Sequence, residues 1–247
     1  MGVTAINTAS HGESSKSFDP ANQGTAEAQW RSFLNRAQTW EPKRGPLAVV
    51  APHPDDEIFG AGGLIRSWAM SGLPVTVISV TDGEAADVDR PGLDLIRRGE
   101  LRDALRYLSL LHVAVERLGI PDGKVQAHAN RLRNAICSHA DSAGTIVAPF
   151  EHDGHPDHEA AGNICLEVAN THGISIVRYP VWAWHHTVPS TLAELRWGRF
   201  PLSLDAQRAK RRAMQCFGSQ LRPPRGSPIV PPHVLPYFAR PFEAFIL

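Results

Sequence analysis

Short apolar runs alternate along this chain with longer stretches in which apolar residues recur every three or four positions. Leu47–Ala51, Pro74–Val80, Val113–Leu118, Thr145–Phe150 and Ser175–Trp182 are of the first kind and read as buried strands. Ile58–Ser71, Asp94–Leu111, Lys124–Ala140 and Glu159–Thr171 are of the second kind and read as helices, Gly72 ending the first of them. In the second of these helices Leu95, Leu101, Leu105 and Leu108 fall at helical spacing. Ahead of the first strand, Thr25 is placed to cap a helix reaching about Gln38, with Trp30, Phe33, Leu34 and Ala37 on one face. Beyond the fifth strand the pattern changes. Ala183–Leu204 is irregular and aromatic, Asp205–Phe217 is a basic helix, Leu221–Pro232 is a Pro-rich loop, and Phe242–Leu247 ends the chain as a last strand.

Strands that alternate with helices make an α/β fold with a mostly parallel sheet and right-handed crossovers. In the order 3-2-1-4-5, strands one and four are neighbours, and the ligand crevice opens between their carboxyl ends. The loop after Ala51 then faces the loop after Phe150. Residues 25–247 are expected to form one domain. Residues 1–24, rich in Ser, Gly, Asn and Thr, are expected to form a flexible arm.

Composition narrows the field without redirecting it. The 247 residues suffice for one large core. A formal net charge of +0 argues against nucleic acid or an anionic membrane as partner. The cysteines Cys137, Cys165 and Cys216 show no CxxC spacing and read as reduced packing residues. No apolar run approaches the ~20 residues of a membrane span. No signal-peptide pattern opens the sequence, so a cytoplasmic location is expected. Oligomeric state is not readable.

The two facing loops hold the densest His and Asp clusters: Ala51-Pro52-His53-Pro54-Asp55-Asp56-Glu57 and Glu151-His152-Asp153-Gly154-His155-Pro156-Asp157-His158. Side chains of this kind, packed closely, repel one another unless something positive holds them. His53, Asp56 and His158 form a two-histidine, one-carboxylate set that leaves a position open for water, as in a catalytic zinc site. Asp55 suits a general base. His155, one turn before His158, suits an imidazolium that steadies an oxyanion or protonates a leaving amine. Asp157 can orient His155 or His158. A lone HPDD also makes an Asx turn with a helix cap, and a lone HxxH is commonly solvated surface.

At these residues the chain resembles the PIG-L/LmbE-like family of zinc-dependent N-deacetylases. APHPDDE at 51–57 is similar to that family's AHPDDE, and His155-Pro156-Asp157-His158 to its HPDH. The resemblance implies a Rossmann-like, three-layer α/β fold in the order 3-2-1-4-5 and hydrolysis of an N-acetyl or N-acyl amino-sugar conjugate. It implies zinc on His53, Asp56 and His158, Asp55 as base, and His155 as polariser or acid. Fe²⁺, Co²⁺ or Mn²⁺ also suit such a donor set. Weaker echoes are Thr81-Asp82-Gly83-Glu84, the helix from Arg97 to Leu108, LGIPDG at 118–123 and Ser219-Gln220. Pro52 departs from the family pattern, as does the helix ahead of the first strand.

Other residues admit two readings. Glu84 can fix a ligand or a sugar hydroxyl, or lie on a solvated turn. Arg97 can bind substrate at the cleft edge, or lie with Arg98 on a helix surface. His152 can compete as a ligand, though His158 already completes the set. Gly60-Ala61-Gly62-Gly63 suits close helix packing better than phosphate binding. Trp182, Trp184, His185, His186 and Trp197 suit either a sugar platform or a loop-holding cluster. Lys210-Arg211-Arg212 reads as a solvated helix face. Two further functions stay open: hydrolysis of another amide or ester natural product on the same metal, or cofactor binding by a Rossmann-type module without hydrolysis.

Overall fold

In the computed structural model, residues 20–140 and 144–247 are described. The expected arm therefore lies outside the described residues up to position 19. In chain order the elements are α1 (Glu27–Leu34), β1 (Gln38–Thr39), β2 (Leu47–Ala51), α2 (Asp56–Met70), β3 (Val75–Ser79), α3 (Leu93–Tyr107), β4 (Ala114–Arg117) and α4 (Ala129–Ala140). They continue as β5 (Thr145–Pro149), α5 (Pro156–His172), β6 (Ser175–Tyr179), the single turn α6 (Ala183–His186), β7 (Trp197–Pro201), α7 (Leu204–Met214), the single turn α8 (Gly218–Leu221) and β8 (Phe242–Ile246).

Among the described residues, one mixed sheet of eight strands runs in the order β1-β7-β8-β6-β5-β2-β3-β4. The sheet as a whole is longer than expected and mixed rather than mostly parallel from edge to edge, although the five expected strands stand within it in the expected 3-2-1-4-5 order, as β4-β3-β2-β5-β6. The five expected strands occupy one side of it, β6-β5-β2-β3-β4, all parallel. Three more extend it past β6: β8 runs antiparallel to β6 and to β7, and the two-residue β1 is parallel to β7. The chain that reads as irregular between 183 and 204 holds β7, whose Gly, Arg and Pro break the apolar run that would mark a strand.

The central strands β2, β3 and β5 bury both faces, because helices cover both, while the edge strand β4 stays largely exposed. Val49, Val77, Val147 and Val177 face a core made with α1, α2, α3 and α7. Val50, Ile78, Ile146 and Ala148 face a second core made with α4 and α5. At two glycines the helices approach closely. Gly60 of α2 lies against the Tyr179 ring where a Cβ would collide, and a Cβ on Gly162 of α5 would come within 2.7 Å of the Pro149 carbonyl. Packing, then, is the role of the Gly60–Gly63 run, as expected.

The start of α1 departs from expectation. Ala26 stands at its N-cap, and the Thr25 hydroxyl donates instead to the Thr187 carbonyl. Trp30 and Leu34 are buried, and Trp30 meets Trp184 edge-on at 5.0 Å. Lys210 is the other correction. It is buried and paired with Glu243 of β8 at 2.5 Å. Its ammonium also donates to the Phe59 carbonyl of α2, while the Glu243 carboxylate accepts from the Gly63 and Leu64 amides. The pair ties the C-terminal strand to the helix that begins at the first cluster. Among the described residues, no helix is long and apolar enough to cross a membrane.

Candidate metal centre and cleft

The carboxyl ends of β2 and β5, neighbours in the sheet, bring the two clusters together. Three donor atoms form a nearly equilateral triangle: His53 Nδ1, Asp56 Oδ2 and His158 Nε2, each 3.2 Å from the other two. Donors ~2.1 Å from one tetrahedral ion stand ~3.4 Å apart, so the triangle fits one such ion. The donor set, two imidazole nitrogens and one carboxylate oxygen, is right for zinc or a related divalent metal.

Both imidazoles are turned to present a lone pair to that point. His53 Nε2 donates to Asp122 Oδ1 at 3.0 Å, which leaves Nδ1 free for a cation. His158 Nδ1 donates to Asp153 Oδ2 at 2.7 Å, which leaves Nε2 free. A carboxylate behind each histidine fixes its tautomer and raises its basicity. Asp153 is itself locked by the amides of Val181, Trp182 and Ala183. Asp122 is held by the Ala85 amide, and its own amide donates to Glu84.

Electrostatics mark the same point as a place for positive charge. Burial disfavours charge on all three donors, yet their mutual attraction wins. His53 is raised well above its ordinary value by Asp122, Asp157 and Asp56. His158 is raised to about 9 by Asp56 and Asp153. Asp56 is held far below the usual carboxylate range by His158 and His53.

Asp55 lies beside the triangle and not in it. Burial pushes its carboxyl up to about 7, and the Arg97 guanidinium, 3.2 Å away, pulls back. Arg97 is buried and also donates to the carbonyls of Gly83 and Pro54. It therefore steadies the Asp55 loop rather than lying on a helix surface. Behind Asp55, its own amide donates to the Glu57 carboxylate at 3.0 Å, and burial pushes Glu57 up to about 8. The inserted Pro52 keeps the turn tied to β3, because its carbonyl accepts both the amide and the hydroxyl of Thr81.

His155 stands at the N-cap of α5, its ring centroid 4.8 Å from both His53 and His158. One of its ring nitrogens also lies within 4.8 Å of donor nitrogens on both. Asp56 is nonetheless the closer third donor. His155 Nδ1 accepts the Asp157 amide at 3.3 Å, so the ring is neutral with its proton on Nε2. Burial and the two neighbouring histidines push it down to about 3, against the expected imidazolium.

Asp157 and His152 also sit differently from expectation. Asp157 accepts the amides of Gly123 and Val125 and lies 3.5 Å from His53 Nε2, so its carboxylate supports His53. Orienting His158 falls to Asp153. His152 is exposed, packed edge-on against Phe150 and outside the cluster. Asp122 and Asp153 are the two residues to which sequence reasoning assigns no role, although the LGIPDG stretch and the second cluster contain them. Glu84 acts through Asp122. Of the tryptophans, Trp182 lines the cleft with Val181, while Trp184 and Trp197 pack together with Trp30 and Phe33. The cleft above the triangle has a volume of about 340 Å³, with His53, Asp55, Asp56, Arg97, Asp122 and His155 on its floor.

Comparisons with known proteins agree with this geometry. The family described as PIG-L, GlcNAc-PI de-N-acetylase, matches residues 48–169, which include both clusters. A Bacillus cereus protein named probable N-acetyl-alpha-D-glucosaminyl L-malate deacetylase 2 is 32% identical over 136 residues, 50% of this chain and 60% of that protein. The chain thus matches little more than half the length of this relative. The solved structure of N,N'-diacetylchitobiose deacetylase from Pyrococcus horikoshii shares the fold, with a TM-score of 0.56 at 20% identity over 80% of each chain. The zinc-inhibited form of teicoplanin deacetylase Orf2 shares it too, with a TM-score of 0.57 at 18% identity over 74% of this chain and 87% of that one. Residues 48–169, both motif clusters included, form a PIG-L domain.

Proposed function

We propose that this protein is a metal-dependent N-deacetylase that removes an acetyl or related acyl group from an amino-sugar conjugate. The observation that carries the reading is the triangle of 3.2 Å sides made by His53, Asp56 and His158, with both histidines turned by carboxylates to face its centre. Zn²⁺ is the first candidate for that centre, with Fe²⁺, Co²⁺ and Mn²⁺ next. When bound there, such an ion lowers the pKa of a water in its open position from about 16 to about 7. The amino-sugar substrate class is supported by the family match and by the N-acetylglucosaminyl substrate that the Bacillus cereus relative's name gives.

The protein's own groups account for the proton movements. Asp55 borders the cleft outside the ligand triangle, and Arg97 fixes its orientation. It takes the proton of the attacking water and passes it to the departing nitrogen. The new bond joins the water oxygen to the acyl carbon, the bond that breaks is carbon to nitrogen, and the products are a carboxylic acid and an amine. His155 presents its Nε2–H as a neutral donor to the carbonyl oxygen as negative charge builds there.

The test is elemental analysis of the purified protein together with acetate release from N-acetylglucosamine conjugates. About one divalent ion per chain and metal-dependent release are expected. His53→Ala is expected to lose the ion and to lower kcat/KM by at least ~100-fold. Full activity in His53→Ala, or activity untouched by exhaustive chelation, would overturn the reading.

A further inference from the structure

The cleft does not end above the metal centre. Ala86, Gln220 and Ile229 line it and also line a second cavity of about 680 Å³, twice the size of the first. The two cavities share these three residues as a common rim. The larger lies between the chain that leads into α3, Ala86 to Leu93, and the Pro-rich chain from Ser219 to Ile229. The second wall lies outside the residues that match the family.

The rim is a fixed edge. Gln220 is 2% exposed, and its side-chain amide donates to Ser219 Oγ at 3.0 Å. Ser219 in turn donates through its amide and its hydroxyl to the Glu100 carboxylate, at 2.7 and 2.6 Å. The Val230 amide donates to the Gln220 carbonyl at 3.1 Å. Because Glu100 belongs to α3, one helix anchors both walls.

The lining says what the groove suits. Arg90 and Arg225 bring guanidinium groups, while Asp87 and Asp89 bring carboxylates. An anionic ligand drawn to the arginines would meet the aspartates, and a cationic one would meet the reverse. A neutral polyhydroxyl unit satisfies both, since its hydroxyls donate to carboxylates and accept from guanidinium groups. Pro91, Pro223 and Pro224 add apolar surface for the C–H faces of sugar rings. A site of about 340 Å³ is at the small end of ligand pockets, sized for one acylated sugar. The adjoining groove holds about two more units of that size.

We infer that this groove is a subsite for the distal part of the substrate, a neutral carbohydrate of about two further sugar units. The substrate is then an N-acylated amino sugar within a neutral oligosaccharide rather than a small monosaccharide conjugate. The inference rests on the deacetylase reading and has its own test. Acetate release by the full-length, zinc-loaded protein would be followed on N-acetylglucosamine, on its β-1,4-linked dimer, trimer and tetramer, and on N-acetylglucosamine 1-phosphate. kcat/KM is expected to rise about ten-fold or more from monomer to trimer, mainly through KM, and then to level off. In the Arg90→Ala/Arg225→Ala double variant the trimer-to-monomer ratio is expected to fall toward one.

A flat length profile with acetate still released would overturn this inference and leave the deacetylase reading standing. So would a preference for the phosphorylated monosaccharide over the trimer, or a double variant that keeps the wild-type ratio. Failure to release acetate from any of these compounds, or from any other N-acylated amino-sugar conjugate, would overturn the deacetylase reading itself.

Discussion

The two sides of the sheet are built differently and contribute differently to the cleft. On the parallel side, β6-β5-β2-β3-β4, the strands deliver polar residues at their carboxyl ends. His53 and Asp56 follow β2, Asp82 follows β3, Asp122 follows β4, and Asp153 and His158 follow β5. On the other side, β8 runs antiparallel to both its neighbours and β1 is two residues long. None of these three strands supplies a member of the triangle. The chain between α7 and β8 supplies cleft walls instead: Gln220, Ile229 and Val230. A parallel sheet with crossovers collects its loops at one end, which suits convergent ligands. The antiparallel extension leaves longer, irregular connections that shape access to them.

The sharpest way to test that division is to remove the base without touching the ligands. Asp55→Asn is expected to lower kcat by ~10²–10⁴-fold. Metal content should stay at wild type, because Asp55 lies outside the triangle and contacts Arg97 instead. Steady-state kinetics beside elemental analysis reads both quantities. Loss of the ion along with activity would make Asp55 a ligand and merge the two roles.

The far side should respond in stability. Glu243→Ala leaves the Lys210 ammonium buried without its carboxylate and takes the acceptor from the Gly63 and Leu64 amides. Breaking a buried pair in this way costs ~3–5 kcal/mol. In a chain of this size that is a fall in Tm on the order of 10 °C. Thermal unfolding followed by circular dichroism measures it. An unchanged Tm would mean that β8 is not fastened to α2 through this pair.

The same division separates what the sequence reveals from what it hides. Leu47–Ala51 and Thr145–Phe150 are continuous apolar runs because both faces are covered, and the polar clusters begin where those runs stop. The triangle and the five parallel strands follow from that pattern. By contrast, β7 is Trp-Gly-Arg-Phe-Pro, and its pairing with β8 comes from tertiary contact that no local pattern carries. Lys210 sits in a basic run that reads as solvated, and only the fold brings Glu243 to it from 33 residues away. Asp122 and Asp153 escaped assignment for a related reason. Which carboxylate backs which histidine depends on where loops from different strands meet.

The smallest expected effect falls on the residue that joins the two sides. Asp153 accepts from His158 Nδ1 and from the amides of Val181, Trp182 and Ala183, in the stretch that leads away from β6. An asparagine keeps one acceptor oxygen but turns an NH₂ group toward N–H donors on one flank. In Asp153→Asn the His158 tautomer is no longer enforced, and metal affinity is expected to drop ~10–100-fold, the range for losing a carboxylate behind a metal-bound histidine. Competition with a chelator of known affinity measures that drop. Because the same carboxylate pins residues 181–183, their amides should also exchange faster with solvent in the metal-free variant than in the metal-free parent. Weaker metal binding with unchanged exchange would confine Asp153 to the histidine. Faster exchange with unchanged binding would confine it to the loop, and His158 would then owe its orientation to packing within α5.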